Sequence, residues 1–85
     1  MNISKSEQRV LHVLAQGGCI RYEKDGRKIT GITCFTHDGS VLADCTRGVF
    51  TRLRQRRLIA SQNGDAYRIS RAGRIAVRAQ PDNRG

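Results

Sequence analysis

The sequence has no tryptophan, one proline and one methionine, and only two tyrosines and two phenylalanines among 85 residues. So few aromatics leave no row of stacking platforms of the kind that single-strand nucleic-acid binders use. Acidic residues are scarce too: seven Asp and Glu face sixteen Lys and Arg, a formal net charge of +9. There is no Gly-rich phosphate loop, no pair of neighbouring carboxylates and no G-x-S-x-G, so no motif announces catalysis. Cys19, Cys34 and Cys45 stand 15 and 11 residues apart without a C-x-x-C pair. Zinc modules draw their ligands in close pairs from a turn, so neither a metal nor another cofactor is expected, and Cys34 and Cys45 read as small buried hydrophobes. Three thiols cannot all pair within one chain, and MNISKSEQ has no apolar signal segment, so a reduced, cytoplasmic protein is expected. No stretch joins basic residues to a broad apolar face, which removes a membrane surface from the expected partners.

What is present is a charge imbalance with a direction. Residues 1–42 carry six Lys and Arg against four Asp and Glu, whereas residues 43–85 carry ten Arg against three Asp. Such asymmetry points to a polyanionic partner, either nucleic acid or an acidic protein surface. The length suits one domain, expected over residues 1–80 with a flexible tail at 81–85, and leaves little room for a large active-site cavity.

Local signals place the elements. Ser4-Lys5-Ser6-Glu7 is a capping box, and Val10, Leu11 and Leu14 follow at helical spacing until Gly17-Gly18, predicting a helix over about 5–16. CIRYEK and RKITGITCF flank Asp25-Gly26, a hairpin turn, and His37-Asp38-Gly39 followed by SVLA extends the pattern to a small antiparallel meander. Asp44 or Thr46 can cap a second helix that buries Val49, Phe50 and Leu53. LIASQNGDAYRIS predicts a second hairpin with Asn63-Gly64 at its tip and Tyr67 as a packing residue. Ser70 can cap a last helix over about 71–80, with Ala72, Ile75, Ala76 and Ala79 as a small-residue stripe and Arg71, Arg74 and Arg78 on another face. Pro81 stops it. The expected fold is α+β and winged-helix-like: N-terminal helix, small antiparallel sheet, basic helix, β-hairpin wing and C-terminal helix. One feature is atypical, because the first hairpin stands where a winged helix has a further helix.

The candidate site centres on TRLRQRRLIA. Around the second helix, Thr51 and Gln55 point away from the core face, with Arg47 and Arg54 on one flank and Arg52 and Arg56 on the other. Asp65 is the one carboxylate between residues 45 and 81. The arginines are therefore expected to lack partners within the chain and to engage a polyanion, with Arg57 beside them and Arg68 and Arg71 on the wing and last helix. Thr51 and Gln55 either read base edges or are ordinary exposed residues. His12 and His37 are the only histidines, and His37 in its turn is the one candidate base for an RNA-cleaving reading.

EQRVLHVLAQGG, DCTRGVF followed by RLRQRRLI, GDAYRIS and the terminal VRAQPDNR together resemble the YjhX-type toxin family of bacteria over nearly the whole chain. The resemblance implies a toxin of a toxin–antitoxin pair, an acetyltransferase-like antitoxin as partner, and a DNA-handling enzyme such as a type I topoisomerase as target. It supplies no catalytic residues. The expected function is thus inhibition by binding, not enzymatic, with DNA itself as a further partner and a homodimer formed through the C-terminal helix. The alternatives are a DNA-binding transcriptional regulator and an RNA-cleaving toxin.

Overall fold

The computed structural model describes residues 3–78. The expected capping box forms at the start of α1 (Lys5–Ala15): the Glu7 amide donates to Ser4 Oγ and the Ser4 amide donates to Glu7 Oε1, each at 3.1 Å. Gly17, at φ +108°, ends the helix by a left-handed step that side chains resist. β1 (Cys19–Asp25) then turns through Gly26-Arg27 into β2 (Lys28–Phe35), antiparallel and in register from Cys19–Phe35 to Asp25–Lys28, with an irregularity between Glu23 and Lys24.

The meander expected through SVLA is reduced to one bridge, Phe35 to Val41. Thr36 and Asp38 close the turn on the Ser40 amide, and the chain then leaves the sheet after the Leu42 amide bonds the Cys34 carbonyl at 2.9 Å. Val41 is left 63% exposed, with no burial to hold a longer strand in place.

Of the two expected caps, Thr46 is the one that opens α2 (Arg47–Gln55), accepting the Val49 amide at 3.2 Å, while Asp44 instead pairs with Arg9 at 3.0 Å. The end of α2 is a Schellman motif. The Leu58 amide bonds the Leu53 carbonyl and the Arg57 amide the Arg54 carbonyl, both at 3.0 Å, with Arg57 at φ +60° in the place glycine usually takes. Leu53 and Leu58, at the two positions where an apolar pair accompanies the motif, are both fully buried in the one core cluster.

β3 (Ile59–Ser61) and β4 (Tyr67–Ile69) form the second hairpin, turning at Asn63 and Gly64, both at positive φ as expected. This hairpin does not stand apart. β4 pairs with β1 through Ile20 and Tyr67, giving one four-stranded antiparallel sheet in the order β2-β1-β4-β3. Tyr67 packs edge-on between Phe50 and Tyr22, at 5.0 and 5.3 Å between ring centres, and the Tyr22 hydroxyl reaches the Gly64 carbonyl at 3.0 Å. Val10, Leu11 and Leu14 of α1 and Val49, Phe50 and Leu53 of α2 close the core over Ile20, Cys34 and Ile59.

α3 (Arg71–Arg78) is capped by Ser70 as expected, with Ser70 Oγ accepting the Gly73 amide at 3.1 Å. Its buried face differs from the expected stripe. Gly73 and Val77 are buried and Ala76 is partly so, whereas Ala72 is exposed and Ile75 is 60% exposed. A β-carbon at residue 73 would collide with the Leu58 carbonyl, so the glycine is what lets α3 lie against the end of α2, and that contact sets the rotation of the helix. Ala79, Pro81 and the 81–85 tail lie outside the described residues.

A candidate polyanion-binding site

α2 carries its arginines on two flanks that have different occupations. On one, Arg52 Nε lies 3.6 Å from Glu7 Oε1 and Arg56 3.4 Å from Glu7 Oε2. Glu7 is 2% exposed and shares the stripe of α1 with Val10, Leu11 and Leu14. Burial by itself would raise its pKa, but the hydrogen bonds with Ser4 and the charges of Arg56 and Arg52 outweigh it and hold the carboxyl below its ordinary value. The expectation that these arginines lack partners within the chain is therefore wrong for Arg52 and Arg56. The partner comes from α1, 45 residues and more earlier in the sequence, and the two guanidiniums fasten α2 to it.

The other flank is open. Arg47, Thr51 and Arg54 border a groove of about 270 Å³ whose far wall is the first hairpin, with Arg27, Lys28 and Ile29, and whose floor includes Phe50. Arg47 reaches across and donates to the Ile29 carbonyl at 2.8 Å, and Arg54 lies over the Phe50 ring, 5.5 Å from its centre. Among the described residues no carboxylate is within ion-pair distance of Arg27, Lys28, Arg47 or Arg54. The first turn of α2 has no acidic residue either, so the positive end of the helix dipole adds to the field of these four cations.

The remaining expected residues lie elsewhere. Gln55 and Arg57 are exposed at the end of α2, where the Arg57 carbonyl accepts from Ser70 Oγ at 2.7 Å. Arg68 and Arg71 line a second groove of about 460 Å³ with Arg74, Gln62, Asp65, Ser70, Gly17 and Gly18. The nine expected residues thus fall into separate places: an internal clamp, an open basic groove, a helix end and a second groove. Arg27, Lys28 and Arg74 were not among them. Two cations directly after the Asp25-Gly26 turn were a sign that the hairpin tip is basic, but nothing in the sequence says that the tip folds back toward α2.

His12 is exposed, its Nε2 3.3 Å from the Gln16 amide nitrogen, and His37 is exposed in its turn. Among the described residues no three His, Cys, Asp or Glu side chains gather as a metal site would need, and no helix is long and apolar enough to cross a membrane.

A family described as "Putative toxin of bacterial toxin-antitoxin pair" matches residues 1–84. The chain belongs to the YjhX toxin family. Its relatives include UPF0386 proteins of Beijerinckia indica and Parvibaculum lavamentivorans, 61% and 64% identical over 99% of this chain and the whole of theirs. The UPF0386 protein of Caulobacter vibrioides is 55% identical over 99% of this chain and 93% of its own. No solved structure matches the chain.

Proposed function

We propose that this member of the toxin family acts by binding, without catalysis, and that the groove between the hairpin tip and α2 is the surface that takes the phosphates of DNA. In this reading it disturbs a DNA-handling enzyme, such as a type I topoisomerase, by occupying the DNA or the anionic path the DNA follows, and the antitoxin neutralises it with an acidic surface.

The observation that supports this is the division of labour among the arginines. Arg52 and Arg56 already face a carboxylate, whereas Arg27, Lys28, Arg47 and Arg54 share one groove without one. Cations held close together without counter-charges repel one another, and an anion removes that repulsion.

A winged-helix mode of docking fits the same reading, with α2 presented to the duplex and the β3–β4 hairpin beside it. A DNA-binding regulator is the second reading, favoured by Thr51 and Gln55, which are exposed on the outer side of α2 where base edges would be read. The exposed Ile75 and Ala72 keep α3 as the surface for the expected homodimer.

The test is growth of a bacterial host lacking the antitoxin while the chain is overproduced. Arg47→Glu with Arg54→Glu should abolish growth inhibition, and His12→Ala with His37→Ala should leave it intact. Loss of inhibition in the histidine variant with the arginine variant still toxic would refute action by binding. If the wild type is harmless, the regulator reading replaces the inhibitor.

A further inference from the structure

The three cysteines are free, but they are not equivalent. Ile20 pairs with Cys34 and Cys19 with Phe35 across β1 and β2. Side chains alternate between the faces of a strand, so Cys34 shares the core face with Ile20 while Cys19 projects from the opposite face. Cys34 is 1% exposed. The loop after β2 folds back over it: the Leu42 amide bonds the Cys34 carbonyl at 2.9 Å, and Cys45, three residues on, packs half-buried against the same core. The two thiols lie near enough that each perturbs the titration of the other, Cys34 upward and Cys45 downward. A shielded thiol thus neighbours one that solvent can reach, next to the Thr46 cap and Arg47 at the start of α2.

We infer that Cys34 and Cys45 form a redox-modifiable pair, in which a hydroperoxide oxidises Cys45 and Cys34 resolves it to an intramolecular disulfide. The Cys45 thiolate attacks the peroxide; its O–O bond breaks, an S–O bond forms, and the leaving hydroxide takes up a proton as water. Cys34 then attacks the Cys45 sulfur. The S–S bond forms, the S–O bond breaks, and the departing hydroxide carries away the Cys34 proton as a second water. Two electrons pass from the thiols to the peroxide, and two thiols plus one hydroperoxide give one disulfide and two waters when the peroxide is hydrogen peroxide.

The difference in exposure favours this order. Peroxide reaches half-buried Cys45 and not Cys34, which is 1% exposed, and the neighbouring thiol and burial hold the Cys34 pKa up while that of Cys45 is lowered. Once Cys45 is a sulfenic acid its charge is gone and that restraint on Cys34 is lifted. Low-pKa accessible thiols beside a resolving thiol are the ones that oxidise reversibly. The pairing joins β2 to the residue ahead of the α2 cap and is independent of what the basic groove binds.

The experiment treats the folded wild-type chain with hydrogen peroxide, then unfolds it, alkylates it and measures its mass and digest peptides. The expected result is a fall from three alkylatable thiols to one, a mass loss of about 2 Da before alkylation, and a cross-linked peptide containing Cys34 and Cys45, all reversed by dithiothreitol. Cys19→Ser should react as the wild type does, and Cys45→Ser should retain both remaining thiols. A disulfide that includes Cys19, a chain-to-chain disulfide, three thiols surviving, or sulfinic acid at Cys45 with Cys34 still free would each overturn the pairing. Because the cross-link is read in the wild type, the result does not depend on whether a Cys34 variant folds.

Discussion

Glu7 carries more of the architecture than any other charged residue. It caps α1, it is buried, and it receives two guanidiniums from α2. Glu7→Gln keeps the shape and removes the charge, and should cost about 1.5–3 kcal/mol of stability by denaturant unfolding. Arg52→Ala and Arg56→Ala, on half-exposed side chains, should each cost about 1 kcal/mol or less. The sign of the pH effect follows from the lowered pKa. Glu7 contributes its full stability above the ordinary value of 4.5, and loses it as pH falls through its lower folded value. The melting temperature should therefore drop on acidification below about pH 4.5, and less steeply in Glu7→Gln. Asp38, also lowered by its hydrogen bonds with Thr36 and Ser40, titrates in the same direction and accounts for part of the slope left in that variant. Glu7 was legible as a cap and went unread as a clamp. Its place on the stripe of Val10, Leu11 and Leu14 was the available signal, since a carboxylate that faces a core must find a cation. Arg57 makes a second prediction at this scale. Left-handed backbone disfavours any side chain, so Arg57→Gly should gain about 0.5 kcal/mol despite the flexibility glycine adds to the unfolded chain, and a β-branched Arg57→Val should lose more than that.

At the scale of elements, what the sequence discloses is what is decided locally. The capping box at Ser4, the caps at Thr46 and Ser70 and the turns at Gly26 and Asn63-Gly64 are short-range hydrogen-bond and φ requirements, and each sits where its residues put it. The joining of the two hairpins is different. It rests on the pairing of Ile20 with Tyr67, residues far apart in the chain whose side chains carry no mark of their partner. The rotation of α3 was missed for a related reason: alanines suggested a small-residue stripe, but the glycine between them decides which face can approach the Leu58 carbonyl. Gly73→Ala should consequently destabilise the fold by about 2 kcal/mol or more, against the gain of about 1 kcal/mol that alanine brings to a free helix. Ile75→Lys, two residues away and exposed, should change stability by about 0.5 kcal/mol or less. Thermal melts of the two variants separate the observed face from the expected one.

For the whole molecule, the excess positive charge is not spread as the composition implies. Charge in the second half of the chain is partly consumed by Glu7, and the open groove draws two of its four cations, Arg27 and Lys28, from the first half. The charge imbalance was legible in the sequence; the open basic groove was not, because it exists only once the first hairpin lies against α2. The most direct measurement is the salt dependence of duplex DNA binding by the wild type and by the Arg47→Ala, Arg54→Ala double variant. Each lost phosphate contact should lower the slope of log affinity against log salt by about 0.9, so the variant should bind more weakly at low salt with a slope smaller by about 1.8. Equal slopes and affinities for the two proteins, or no binding by the wild type at low salt, would contradict the assignment of the groove to DNA phosphates.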